Sequence, residues 1–420
     1  MIPLVALAVK CLLIVNIKGN IWPGPDYESY YEGADNLIKF GIFSDAQILQ
    51  YFPAGYPLTI WLFSKISLPG AYFLLSTFQS LVFFYATWYF VKNIQIGILI
   101  RISPLIALII SFNPTLSLSS LVIGYESLVA STLMISVGVL LDKNLKKDTT
   151  KIIIFAALNG FASFLQPRYL LVSVIVGISW LIYGSSKSSK KRAITVLLAI
   201  STLSPVILGF RNFVASDNFF VSKNLDDTMY VGIGKNATGG YLNDKNNNVG
   251  VACPPGYDSE SKKIICYLSW YATNPLDTLR LSINKTIYFF SPWTGPLANG
   301  TMSRNPWQKI NPIQKVGNNP ETKNLILGVP GKVISWFWMI SSFGLMTFGA
   351  LCLWQRKNEE RLMSAILSIP IAVSWLTSLG TIGDHRFRVP VLGFMCALQV
   401  IGASELVKNH MILKLNAKTG

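Results

Sequence analysis

The chain has 420 residues, of which 51% are apolar and only 13% charged, with a mean hydropathy of +0.44. A soluble protein carries about 25% charged residues, so this composition excludes a string of soluble domains and indicates a membrane protein. Thirty-six Lys and Arg stand against twenty Asp and Glu, a formal net charge of +16, which in a membrane chain raises the question of sidedness before that of nucleic acid.

A helix that rises about 1.5 Å per residue needs roughly 20 apolar residues to cross the hydrocarbon core. That rule gives ten candidate spans, several of them short, at 2–17, 69–91, 97–113, 119–141, 152–166, 169–184, 193–210, 332–354, 362–380 and 389–407. The first is read as a retained span rather than a secretory signal, because no basic residue precedes its apolar core and no small-residue cleavage site lies near Asn20. With residue 1 on the cytoplasmic side, the inside loops hold sixteen Lys and Arg and the short outside loops six. That asymmetry orients the chain in a plasma (inner) membrane with both termini cytoplasmic. The expected organisation is an N-terminal membrane part over 1–210, an exoplasmic domain over 211–331 and C-terminal membrane helices over 332–420. No nucleic acid is needed to explain the basicity.

The first outside loop, 18–68, carries Asp26, Glu28, Glu32, Asp35 and Asp45, a quarter of the chain's acids. Tyr30, Tyr31, Ala34, Leu37 and Ile38 recur there at helical spacing, which predicts an amphipathic interfacial helix ended by Gly41. Asp26 precedes that helix, after Pro23, Gly24 and Pro25. It is either the helix N-cap or a general base at the membrane surface, able to take the proton of an acceptor hydroxyl.

The set Asp26, Tyr30, Ala34, Leu37 and Gly41, followed by Gly55-Tyr56-Pro57-Leu58, resembles the first outside loop of the GT-C glycosyltransferases, the superfamily of protein O-mannosyltransferases and aminoarabinose transferases. The resemblance implies that Asp26 is the catalytic base, and that Glu28 and Tyr56 contact the substrate.

Further along, Glu126 is an isolated carboxylate at the outer end of the fourth expected span, either a snorkelling acid at the lipid interface or a functional one. The resemblance implies a second catalytic acid or an orienting role. The turn Gln166-Pro167-Arg168 resembles the family's Arg-Pro turn in reversed order, which clouds the role of Arg168. Arg211-Asn212 and the stretch Gly232 to Tyr241 resemble bacterial members; by physics alone the glycines make tight turns, and Asn236 after Lys235 rules out a Walker phosphate loop. Cys253 and Cys266 both fall outside, where a disulfide can form in an oxidising compartment. Asn236, Asn284 and Asn299 begin Asn-x-Thr sequons.

The last outside turn, 383–390, reads Gly-Asp-His-Arg-Phe-Arg-Val-Pro and sets His385, Arg386 and Arg388 on the face where cations are scarce. They are either snorkelling anchors or a site for a phosphate, whose oxygens suit the guanidinium fork. The stretch resembles the family's terminal His-Arg-Phe-Arg-x-Pro pattern, which implies a lipid-phosphate site, with Lys65, Arg168 and Arg211 as further cations. His-Glu-x-x-His and Asp-x-Asp are both absent from the sequence, so it gives no support to a metal, and no cofactor is expected.

The expected protein is therefore an all-α polytopic membrane protein of about ten spans, with interfacial helices in the first outer loop and a small exoplasmic domain. Its expected activity is inverting transfer of a sugar from a polyprenyl-phosphate donor to an acceptor protein, lipid or glycan on the outer face. The alternatives are a transporter or flippase of a lipid-linked sugar, and a non-catalytic binder of lipid phosphate. A transporter would place its polar groups near the midplane in broken helices and often shows inverted repeats, whereas here they gather at one face and no repeat is visible.

Overall fold

The computed structural model describes residues 1–16, 22–23, 26–95, 99–184, 190–240, 250–257, 259–290, 328–356 and 358–419. Gly24, Pro25, Tyr241, the run 246–248 and the Asn299 sequon lie outside the described residues.

Helices occupy all ten apolar stretches. In chain order the first half comprises α1 Ile2–Asn16, β1 Trp22–Pro23, α2 Tyr27–Phe40, α3 Gln47–Tyr51, α4 Gly55–Ile66, α5 Ala71–Asn93, α6 Leu99–Phe112, α7 Pro114–Leu118, β2 Val122–Ile123, α8 Glu126–Leu141, α9 Asp148–Leu165 and α10 Tyr169–Tyr183. The second half comprises α11 Lys190–Ser216, α12 Asn224–Val231, α13 Glu260–Thr273, α14 Pro275–Phe289, α15 Gly328–Trp354, α16 Asn358–Gly380 and α17 Leu392–Thr419, the last preceded by a 3-10 turn, His385–Val391. Five segments among the described residues are long and apolar enough to cross a membrane: Ala71–Asn93, Lys190–Ser216, Trp336–Trp354, Glu359–Gly380 and His385–Lys408. A sixth arises if the bent pair Leu99–Phe112 and Thr115–Leu121 is one span, while Ile2–Leu12, Glu126–Leu141 and Tyr169–Tyr183 are apolar but shorter.

The apolar run 119–141 reads as one helix, yet the helix begins only at Glu126. Ser119–Leu121 form a 3-10 turn, and Val122 and Ile123, β-branched residues suited to extended backbone, pair in parallel with Trp22 and Pro23. Packing against the first outer loop thus overrides the helical reading. Beyond that break α8 is buried on every side among α5, α9 and α17, as a helix with no charged residue after Glu126 should be.

In α2 the face formed by Tyr30, Gly33, Ala34 and Leu37 is buried, and Gly41, at φ +84°, ends the helix in a conformation other residues avoid. Tyr31 turns outward instead and stacks on Tyr72.

The C-terminal helices α15 and α17 cross at two glycines. A Cβ on Gly349 would run into Leu398 O, and one on Gly402 into Leu345 O, so the backbones touch as small residues allow between membrane helices. Gly349→Val and Gly402→Val are each expected to destabilise the protein by about 1–3 kcal/mol through overpacking. The thermal midpoint of the detergent-solubilised variants checks this, and two unchanged midpoints would rule out so close a crossing.

On the polar segments α13 is linked back to residues 250–257 by a disulfide between Cys253 and Cys266, thirteen residues apart. Closing a loop of that size restrains the unfolded chain by roughly 3 kcal/mol in the chain-entropy account. Replacing both cysteines by Ser is expected to remove stability of that order, read as a lower midpoint that added reductant no longer shifts.

Candidate functional site

Two carboxylates and one guanidinium meet where three distant segments converge. The parallel pairing Trp22↔Val122 and Pro23↔Ile123 runs both chains to the same end of a two-strand ribbon. Asp26 follows three residues beyond Pro23, and Glu126 three residues beyond Ile123, so the register alone delivers both acids to one place. The turn before Glu126 is held from behind. The hydroxyl of Tyr56, a fully buried residue, donates to Gln79 Oε1 (3.0 Å) and accepts from Gly124 N (2.8 Å), while Gln79 Nε2 donates to Ser120 O (3.0 Å) and Val122 O (3.1 Å). Tyr56 thus acts on the site through the backbone that carries Glu126.

Asp26 occupies the N-cap position of α2, but its side chain makes no capping hydrogen bond. Its backbone is left-handed (φ +55°), a region costly for a residue other than Gly, though Asp tolerates it better than most. The carboxylate instead accepts a hydrogen bond from Arg386 Nη1 at 3.0 Å. Arg386 also donates to Glu126 Oε1 from Nη2 (3.0 Å) and Nε (3.3 Å). Glu126 opens α8, where the unsatisfied amides and the helix dipole favour a negative charge. The two acids differ in access: the Asp26 side chain is 38% exposed and that of Glu126 only 6%.

Arg386 is aimed by its own turn. Asp384 caps the 3-10 helix, accepting from Arg386 N at 2.9 Å, with His385 Nδ1 3.2 Å from the same oxygen. Gly383 N donates to Gly239 O (2.7 Å), fastening the turn to the loop after α12. Arg168, in the turn between α9 and α10, lies over the Phe387 ring at 3.8 Å and donates to Tyr125 Oη at 3.2 Å. It thereby flanks Glu126 through one neighbour and Arg386 through the other. The floor is aromatic, with Tyr30 edge-on to Tyr56 (5.0 Å) and Tyr125 (6.4 Å). Burial, with Asp26 nearby, pushes the Tyr30 phenol well above its ordinary range, so it stays protonated.

The other candidates lie elsewhere. Arg388 is fully buried with Nη1 3.4 Å from Met339 Sδ of α15; two residues along a three-residue turn, it faces away from Arg386. Arg211 is a strut, donating to Ile42 O (3.0 Å), to Ser44 O and to Asn212 Oδ1 (2.7 Å), and so ties the loop after α2 to α11. Lys65 is an exposed residue near the end of α4, 5.0 Å from the Trp61 ring, and exposed Glu28 accepts from Tyr27 Oη at 3.0 Å. Sequence reasoning passed over Tyr125, Gln79 and Asp384 as contributors. A lone Gln in a span and an Asp just before a turn were the available signals for the last two. Among the described residues no three His, Cys, Asp or Glu are grouped to hold a metal ion.

No family model matches the chain, and no curated protein does. Among solved structures it is similar to the oligosaccharyltransferase of Archaeoglobus fulgidus in the apo form, with a TM-score of 0.50 and 13% identity over 100% of this chain and 52% of that one. It also aligns with that enzyme tethered to an acceptor peptide containing the NVT sequon, at a TM-score of 0.49 and 12% identity over 97% and 50% of the two chains. A third alignment is with the archaeal oligosaccharyltransferase AglB bound to an inhibitory peptide and a dolichol-phosphate, at 0.48 and 11% over 100% and 52%. The chain spans about half the length of these proteins. At such identity the likeness is one of fold alone.

Proposed function

We propose that this chain is an inverting membrane glycosyltransferase that moves a sugar from a polyprenyl-phosphate donor to an acceptor hydroxyl at the outer face of the membrane. The observation that carries the reading is the convergence of Asp26 and Glu126 on Arg386, three residues drawn from widely separated stretches of the chain. A fold shared with an oligosaccharyltransferase supports it.

Exposure separates the roles. Asp26, the open carboxylate, takes the acceptor's proton as its oxygen attacks the anomeric carbon, while the bond from that carbon to the donor phosphate breaks and the lipid phosphate leaves. Glu126, almost closed off, fixes the Arg386 fork in place. Arg386, still partly open, and Arg168 beside it stand where charge grows on the leaving phosphate, and preset cations need not reorganise to stabilise it. Arg388, against Met339, and Arg211, tying the loop after α2 to α11, stand apart from this site.

In this reading the site faces the exterior, both termini are cytoplasmic, and the division at 1–210, 211–331 and 332–420 separates membrane parts from an exoplasmic one. The Cys253–Cys266 disulfide suits an oxidising outside compartment. The deciding experiment follows sugar transfer from a radiolabelled polyprenyl-phosphate sugar by the wild-type chain and Asp26→Asn.

A further inference from the structure

Helix α14 presents three faces. Leu281, Lys285 and Phe289 point inward, and Lys285 Nζ donates to Tyr271 Oη (2.7 Å) and to Leu379 O (2.9 Å) at the end of α16. On another face Leu276, Leu279, Ile283 and Ile287 are 83%, 60%, 52% and 47% exposed, and at about 100° per residue they fall within an arc of roughly 80°. This apolar strip is continuous with the outside of the spans. Trp375 Nε1 of α16 donates to Thr286 Oγ1 (3.0 Å), and Phe290 meets Phe343 of α15 edge-on at 5.0 Å. On those spans Ile340, Phe343 and Leu376 are exposed as well. Such a strip on a short helix is what lies in a membrane interface.

The third face opens on a cavity of about 410 Å³ between α14 and the loop after α12. Asn284 and Tyr288 line one side, Asn236 and Thr238 the other, and Ile287 of the apolar strip sits in its wall. Arg280 also borders it, but its guanidinium is spent on Lys235 O (2.8 Å), Ala237 O (3.4 Å) and Asp277 (3.2 Å), so it shapes the wall. Among the described lining residues what remains is uncharged: two carboxamides, each a donor and an acceptor, a hydroxyl and a phenol. The volume lies in the range of small-molecule sites.

We propose that this cavity binds the uncharged, hydroxyl-rich headgroup of a membrane-anchored glycolipid, with the lipid chains lying along the Leu276–Ile287 strip. Amides and hydroxyls match sugar hydroxyls in both directions, and the adjoining strip matches the only environment such a lipid's chains can occupy. The site is separate from the Asp26, Glu126 and Arg386 constellation and does not depend on the transfer reaction.

The full-length protein in nanodiscs of phosphatidylcholine and phosphatidylglycerol, doped with monoglucosyl-diacylglycerol, tests this by native mass spectrometry of retained lipid. Wild type is expected to retain the glycolipid in preference to either phospholipid, and Asn236→Ala with Asn284→Ala to lose about tenfold of that retention, as two removed hydrogen bonds imply. Asn284→Leu and Tyr288→Phe, near in shape, are expected to weaken it severalfold while melting as wild type does. Equal retention by wild type and these variants overturns the site, and methyl glucoside bound as tightly as the glycolipid overturns the lipid part. Asp26→Asn is expected to retain the glycolipid in full, so loss of transfer and loss of this site are read apart.

Discussion

Asp26→Asn is expected to lower sugar transfer by about 10²–10⁴-fold, the range that a positioned general base contributes. The amide keeps the shape and can still meet Arg386 through its oxygen, so folding and donor binding are expected to persist. The fall should therefore lie in turnover rather than in the donor concentration required. Transfer from a radiolabelled polyprenyl-phosphate sugar measures it, and a variant as fast as wild type would eliminate Asp26 as the base. If instead wild type moved the donor across the bilayer without transferring its sugar, and Asp26→Asn did so equally, the flippase reading would take its place.

The second large effect is expected at Arg386. Its side chain is 17% exposed and holds Glu126, at 6%, and Asp26, at 38%. In Arg386→Ala the nearly buried Glu126 loses its partner and faces a second carboxylate, a situation that costs about 3–5 kcal/mol. Adding Glu126→Gln removes the stranded charge and is expected to restore most of that stability, though not the activity. Asp26 is open enough for water to screen its share, so Asp26→Asn should restore little in the same background. Thermal midpoints of the single and double variants give the coupling directly; strictly additive losses would mean that the ion pairs contribute nothing. Arg386→Lys keeps the charge but cannot serve both acids with one planar fork, and is expected to recover stability only in part.

These two outcomes depend on features with very different visibility in the sequence. Composition placed the chain in a membrane, and the apolar stretches located its helices, since burying about 20 residues in hydrocarbon leaves a mark readable without any contact. Helical spacing and Gly41 likewise marked α2, where Tyr30, Ala34 and Leu37 face inward as their period requires. The polar exceptions Asp26, Glu126 and Arg386 stood out because ionised groups near an apolar phase are too costly to be incidental.

The partnership among those three residues was not legible. The sequence offered Arg386 with Arg388 as one phosphate site, a reading that treats neighbours in the chain as neighbours in space. A 3-10 turn separates them, sending one to the acids and the other against Met339. The run 119–141 failed as a single helix for a related reason: Val122 and Ile123 pair with Trp22 and Pro23, a hundred residues away, and nothing local reports such a partner. That pairing also brings Asp26 and Glu126 together. Hydropathy and periodicity are properties of a segment and its solvent, so the sequence by itself determined the membrane setting, the helices and the unusual charges. Which charges meet, which of them water can reach, and which face of α14 borders a cavity depend on contacts between segments far apart in the chain, and only the tertiary structure decided them.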